Sequence, residues 1–284
     1  MGQKDKVVVT CALTGVMANR MQCKHIPYTP AEIAEEALRA YNAGASAVHI
    51  HGREYDGSPS IRVEIFKEIK EEIEKRCPVL MCFSTGAIGV PEEMRVAHVR
   101  QLKPHIAALN MGTMNYAKYS EKRKDFVFKF TFTNTFDEII YFIKAMNDAG
   151  TKPECECFDI GHLESIYPLM DMGLLKNFQV SLVMGVTGGI RATARNLTYM
   201  SSLVPKNIVW QVIGISQDQW LLIATALSLG GQIRVGLEDN FYLSEGLMAG
   251  GNGQLVDKAV KMARDVGREP ATVEEARQIL KLNT

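Results

Sequence analysis

No sign of charge dominates this sequence. Its 284 residues hold 32 Lys and Arg against 32 Asp and Glu. A nucleic-acid binder or a membrane-surface protein normally carries a basic excess, so both classes are disfavoured. No apolar run approaches the roughly 18 residues that a membrane span needs. The apolar stretch in MGQKDKVVVTCAL is too short for a secretory signal, and Lys6 stands where a myristoylation motif needs Ser or Thr. The expected location is the cytoplasm. Cysteine is sparse: Cys11, Cys23, Cys77, Cys82, Cys155 and Cys157, mostly inside apolar runs. Cys155 and Cys157 have no matching second pair, which argues against a zinc ribbon. The six read as small buried hydrophobes in a reducing compartment. There is no G-x-S-x-G nucleophile elbow, so a serine hydrolase is not expected.

What is present is ordinary globular composition, 46% hydrophobic and 23% charged, enough to bury a large core. Eight apolar runs have strand character: VVVTCAL (7–13), SAVHIH (46–51), PVLMCFS (78–84), IAALN (106–110), ECECF (154–158), FQVSLVM (178–184), IVWQVIG (208–214) and QIRVG (232–236). Helical patterns lie between and after them. Thr29-Pro30-Ala31-Glu32 opens one with an N-cap, a proline and first-turn acid, and Asn42-Ala43-Gly44 closes it. Further helices are expected over 62–76, 91–102, 136–149, 162–172, 192–203, 218–229, 245–266 and 273–280. Strands apolar throughout and alternating with helices indicate a parallel sheet covered on both faces. Eight such units in one chain favour an α/β fold of the (β/α)8 TIM-barrel type, a single domain over 1–284 with a helical extension from about 245. Residues 115–133 interrupt the rhythm. They are charged at first, then aromatic (FVFKFTF), and read as an insertion or a short extra strand.

In such a barrel the chemistry sits at the C-terminal ends of the strands. Those ends are polar or glycine-rich: Thr14-Gly15, His49-Ile50-His51, Ser84-Thr85-Gly86, Asn110 followed by Thr113, Glu154 and Glu156, GVTGGI (185–190), Gly214-Ile215-Ser216, and IRVGLEDN (233–240). Side chains at i and i+2 of a strand point the same way, so His49 and His51 converge. Two imidazoles at that spacing make a half-site for zinc or another divalent transition metal. They would also serve as structural or substrate-binding histidines. Glu238, Asp239 and Glu156 are the candidate third ligands. Arg234, just ahead of Glu238 and Asp239, would keep a carboxylate base ionised and oriented; the alternative is a surface ion pair. GVTGGI reads either as an anion cradle before a helix or as a tight turn. Ser84 could donate a hydrogen bond. His25, His105 and His162 read as surface or loop residues.

HIHGREYDGSPS, STGA, LNMGTMN, PECECFD, GVTGG and IRVGLEDN together resemble the β-keto acid cleavage enzymes, over about residues 7–280. The resemblance implies a (β/α)8 barrel, a zinc ion, and a reaction in which a 3-oxo acid and acetyl-CoA give acetoacetate and a new acyl-CoA. Position by position, it implies His49, His51 and Glu238 as zinc ligands. Asp239 is then the general base with Arg234 as its partner, Ser84 positions the substrate, and Glu156 lies at the substrate's far end. Thr14, Met17, Asn110 and Thr113 complete the expected substrate contacts. Arg53 and Arg191 are candidates for holding CoA, and a homo-oligomer, with a tetramer as the expectation, is implied. One departure matters. Members acting on an amino-substituted substrate carry Glu where this chain has Met17, and Ala108 replaces an expected Thr. Both changes argue against 3-keto-5-aminohexanoate and for a more apolar or neutral 3-oxo acid, while Glu156 keeps a cationic tail open. A metal-dependent aldolase-type lyase or hydrolase on the same barrel is the alternative. The hydrolase reading is disfavoured because the His pair sits on the second strand and later strand ends offer no further histidine.

Overall fold

The computed structural model describes residues 5–282. Eight parallel strands close into a barrel: β1 (Val9–Ala12), β2 (Ala47–Ile50), β3 (Leu80–Phe83), β4 (Ile106–Asn110), β5 (Lys152–Cys157), β6 (Gln179–Met184), β7 (Trp210–Gly214) and β8 (Gln232–Val235). Each strand pairs with the next, and β8 pairs with β1. All eight match apolar runs read from the sequence, in order.

The helices surround the barrel: α1 (Pro30–Asn42), α2 (Val63–Glu74), α3 (Glu92–Leu102), α4 (Phe136–Ala149), α5 (Ile160–Glu164), α6 (Ile166–Asp171), α7 (Ala194–Ser202), α8 (Gln219–Ser228), α9 (Asn252–Asp265) and α10 (Val273–Ile279). Thr29 and Glu32 form a capping box on α1, and Thr135 and Glu138 form one on α4, each satisfying otherwise orphaned amides of the first turn. The main core lies between strands and helices, where Val48, Ile50, Val180 and Val212 meet Ile33, Ile69, Val96 and Leu222. A second cluster fills the barrel's N-terminal end. There Ala276 and Leu280, in and just after α10, pack on Val8, Ala47, Leu80, Ile106 and Ala108.

Three segments differ from the sequence reading. Residues 114–132 form an antiparallel hairpin, Met114–Ser120 with Asp125–Phe132, inserted between β4 and α4. The alternating aromatics of FVFKFTF are its period-2 signal. The helix expected over 162–172 is split into α5 and α6, because Pro168 has no N–H to bond the Glu164 carbonyl and clashes with it. The helix expected from 245 begins at Asn252. Residues Tyr242–Ser244 and Leu247–Met248 form a two-stranded ribbon instead, since Gly246, Gly250 and Gly251 weaken any helix there. All six cysteines are free and buried. Among the described residues no helix is long and apolar enough to cross a membrane.

Candidate active site

Strand alternation builds the mouth. Ala12 pairs with His49 across β1 and β2, and Arg234 pairs with Thr10 across β8 and β1, so the polar side chains of three neighbouring strands enter the barrel together. After β8 the chain turns sharply at Gly236, whose φ is +134°. A Cβ there would lie 2.1 Å from the Ala12 carbonyl oxygen, so only glycine permits this turn. The Glu238 amide then donates to Ala12 O at 3.2 Å. That places Glu238 and Asp239 back over the strand they follow.

The result is one contiguous cluster. Arg234 Nε donates to Asp239 Oδ2 at 2.9 Å and Arg234 Nη2 to Asp239 Oδ1 at 2.9 Å, a two-pronged fork. Arg234 Nη2 also donates to Glu238 Oε1 at 2.6 Å, and Nη1 to Glu156 Oε1 at 3.4 Å. Glu238 Oε1 lies 3.6 Å from His49 Nε2 and 3.4 Å from His51 Nε2. Burial opposes the charge on Arg234, but Asp239, Glu238 and Glu156 outweigh it and hold the guanidinium more firmly protonated than usual. Burial raises the Asp239 carboxyl above its ordinary range against the pull of Arg234, and it raises Glu156 likewise. Burial would raise Glu238 too, but Arg234, then His51 and His49, keep it well below the usual carboxylate range. Burial, then Arg234, hold His49 neutral.

This cluster fits a divalent cation. His49, His51 and Glu238 each offer a ligand atom, and these atoms lie within 4.8 Å of one another. His49 Nδ1 and Glu238 Oε2 are buried without any hydrogen-bond partner, which is costly unless something else binds there. Three carboxylates crowd one arginine, an excess of acidic groups that a bound cation would offset. Two imidazoles and a carboxylate offer three ligands, the number a catalytic site supplies, where a closed structural site supplies four.

The other expected residues divide into two groups. Ser84 and Asn110 are buried beside the cluster, at the ends of β3 and β4. Ser84 Oγ accepts from the Gly86 amide at 3.1 Å, and Asn110 sits opposite Glu156 in the sheet register. Thr14 Oγ1 instead accepts from Arg53 Nε at 2.7 Å, and Thr113 Oγ1 accepts from the Asn134 amide at 2.8 Å. Met17 is on the loop after β1, with 48% of its surface exposed. Arg53 is no candidate for CoA. It is buried and donates to the carbonyls of Thr14, Gly15, Ala18 and Gly57, pinning the β1–α1 loop. Arg191 remains exposed.

The histidines outside the pair are not all surface residues. His105 Nδ1 accepts from the Met81 amide at 3.2 Å, and His162 Nδ1 accepts from the Phe158 amide at 3.3 Å. His98, which the sequence reading passed over, is fully buried. It stacks on Phe66 at 3.9 Å and donates from Nε2 to Ser84 O at 2.9 Å, fixing the backbone at the end of β3.

Sequence reasoning also missed Tyr116, on the hairpin. Its ring meets Phe132 edge-on at 5.8 Å and Phe158 at 6.3 Å. Burial, then Glu238, Asp239 and Glu156, push its hydroxyl up to about 12, so it stays a donor. The hairpin is docked through the GVTGGI loop, where the Ala117 amide donates to Thr187 O at 3.1 Å. A Cβ on Gly188 would lie 1.7 Å from Asn115 O. The glycines of this loop thus admit the hairpin backbone, which explains the motif without an anion. Met114, Phe158, Val183, Val186 and Ile213 form an apolar sector on that side of the mouth.

Comparison with known proteins places nearly the whole chain in a family. The family described as beta-keto acid cleavage enzyme matches residues 6–282. A 3-keto-5-aminohexanoate cleavage enzyme from Acetoanaerobium sticklandii is 38% identical, over 97% of this chain and 98% of its own length. A 3,5-dioxohexanoate:acetyl-CoA acetone transferase from Paraburkholderia graminis is 33% identical, over 99% of this chain and 97% of its own. Among solved structures, the binary complex of ObcA with oxaloacetate superposes with a TM-score of 0.72 at 21% identity, covering 92% of this chain and 68% of that one. At that identity the likeness is one of fold.

Proposed function

The chain belongs to the beta-keto acid cleavage enzyme family, and from that premise we propose that it converts an uncharged-tail 3-oxo acid and acetyl-CoA into acetoacetate and a new acyl-CoA. The observation that carries the proposal is the Arg234–Asp239 fork beside a His49, His51 and Glu238 triad. Zinc held by that triad would draw electron density from the keto acid's carbonyl and carboxylate oxygens and so acidify its α-carbon.

Asp239 accepts the α-proton. Arg234 grips both its oxygens, fixing the carboxylate's plane and bearing the compensating charge. Burial that raises Asp239 above the ordinary carboxylate range makes it a stronger base once ionised. The α-carbon then attacks the acetyl carbonyl and the CoA thiolate leaves. The thiolate returns to the other carbonyl, the bond between that carbonyl and the α-carbon breaks, the α-carbon takes back the proton held by Asp239, and acetoacetate departs. Ser84 and Asn110 are placed to hold substrate oxygens near the triad. The tail faces the apolar sector of Val183, Val186, Ile213 and Phe158. Met17 offers no charge, and Glu156 already faces Arg234 at 3.4 Å.

The test is turnover by zinc-loaded protein given acetyl-CoA and 3-oxo acids with apolar, anionic and cationic tails, read by mass spectrometry. Acetoacetate and the matching acyl-CoA should form fastest from uncharged tails. A preference for a cationic tail would overturn the substrate class. No product from any tail, with zinc bound, would overturn the reaction in favour of aldol or hydrolytic chemistry.

A further inference from the structure

The hairpin that borders the mouth changes chemistry along its length. Register puts Met114 opposite Phe132, Tyr116 opposite Phe130 and Lys118 opposite Phe128, so these six side chains share one face. Tyr116 stacks on Phe130 at 5.3 Å and on Phe128 at 6.3 Å. Phe128, Phe130 and Phe132 are only half-buried. The face is therefore aromatic beside the catalytic cluster and ends in a lysine.

Beyond it lies the turn, with Lys122, Arg123 and Lys124 exposed. Residues 118–129 hold five basic side chains (Lys118, Lys122, Arg123, Lys124, Lys129) and two acidic ones (Glu121, Asp125), in a chain that is neutral as a whole. None of the five is ion-paired to a described residue. Tyr119 and Phe126, both exposed, meet edge-on at 5.6 Å beside the turn. From Tyr116 to the turn is four strand residues, about 14 Å.

We propose that this hairpin is the acetyl-CoA arm: its aromatic face carries the pantetheine chain, and Lys118, Lys122, Arg123 and Lys124 hold the phosphates of the nucleotide end. The assignment rests on the reading of acetyl-CoA as co-substrate. Acetyl-CoA needs its thioester beside Asp239 and its polyanionic end in water, with a long, mostly uncharged arm between. The hairpin offers that sequence of environments in that order. Tyr119 and Phe126 supply ring faces on which an adenine can stack. Unpaired basic side chains on a rim bind phosphates mainly through long-range attraction, which salt weakens.

The test compares acetyl-CoA with S-acetylpantetheine, which has the same thioester and arm but no phosphates. In a Lys122→Glu, Arg123→Glu, Lys124→Glu variant the ratio of kcat/KM for acetyl-CoA to that for S-acetylpantetheine should fall about tenfold or more. In the unaltered protein, raising KCl from about 0.05 to 0.3 M should raise KM for acetyl-CoA and leave KM for S-acetylpantetheine flat. An unchanged ratio, or equal salt dependence for both thioesters, overturns the hairpin assignment while the reaction stands. No turnover of either thioester by the unaltered protein removes the reaction itself, and the assignment with it. The three residues are exposed on a turn, so a folded variant is expected and a melting curve verifies it.

Discussion

Lys152, Glu154 and Glu156 lie on one strand and point into one barrel, yet the two carboxylates meet opposite treatment. Glu154 Oε1 accepts from Ser181 Oγ at 2.8 Å and Gln211 Nε2 at 3.0 Å, and its Oε2 accepts from Gln179 Nε2 at 3.0 Å and Cys82 Sγ at 3.5 Å. Four neutral donors thus occupy both oxygens, about the full capacity of a carboxylate. Glu156, one layer nearer the mouth, has a single long contact to Arg234, and burial raises it. The floor's carboxylate is satisfied, with Gln179 Oε1 the one network atom left without a partner among the described residues, and satisfied networks rigidify a core. The mouth keeps an unspent acceptor on Glu238, an unpaired ring nitrogen on His49 and displaced acidities, the usual marks of a functional site. The same residue type two positions apart is fully hydrogen-bonded in one layer and left with one long ionic contact in the next.

The sharpest way to break that division is at the mouth. His49→Ala should lose bound metal, and turnover with it, by on the order of a thousandfold or more, because Lewis-acid stabilisation supplies several kcal/mol. Asp239→Asn should keep its metal and still lose about a hundredfold to ten-thousandfold, the usual contribution of a positioned base. Metal content by mass spectrometry, measured beside the rates, separates the two roles. A His49→Ala protein with full metal, or an Asp239→Asn protein with full turnover, would remove that residue from its assigned role.

The floor should show the reverse. Glu154→Gln keeps the shape but turns one acceptor oxygen into an NH₂ group facing donors. Leaving buried donors unpaired costs about 3 kcal/mol of stability in total. Turnover of the folded fraction should stay within about twofold. Denaturant unfolding beside steady-state kinetics checks it, and a large loss of turnover without loss of stability would place Glu154 in the reaction.

This contrast was partly open to sequence reading. The eight strand runs, the capping signals of α1, the His49/His51 pair and the GLEDN turn are local patterns, and period and spacing carry them. What local pattern cannot carry is which distant atoms meet. Arg53 follows the His pair and looks like a rim cation, but its partners Ala18 and Gly57 are brought around it by a loop fold with no signature. His98 lies on a helix of weak apolar periodicity, and its burial against Phe66 depends on the crossing of α2 and α3. The donors around Glu154 come from three other strands. Tyr116 sits in an aromatic run whose strand period is visible, but its approach to Glu238 follows from the docking of Ala117 on Thr187.

The smallest expected effect lies at the bottom of the same strand. Lys152 Nζ donates to the Leu280 carbonyl just after α10, and burial, aided by Lys281, draws its ammonium down to about 8 from an ordinary value of 10.5. The folded state therefore releases this proton at lower pH than the unfolded chain. Between about pH 8 and 10.5 the unfolded state holds more protons, so stability rises with pH across that window. Below pH 8 the buried charge costs about 3 kcal/mol, from some 2.5 pH units at 1.36 kcal/mol each. Lys152→Met removes that cost and gives up one hydrogen bond worth about 1 kcal/mol. The variant should be more stable near neutral pH by about 2 kcal/mol and lose the advantage by about pH 10. Urea unfolding of both proteins at pH 7 and pH 10 measures the difference. A variant destabilised equally at both pH values would mean that the ammonium is needed by the floor, as a donor to α10, and that the floor is polar by requirement down to its last layer.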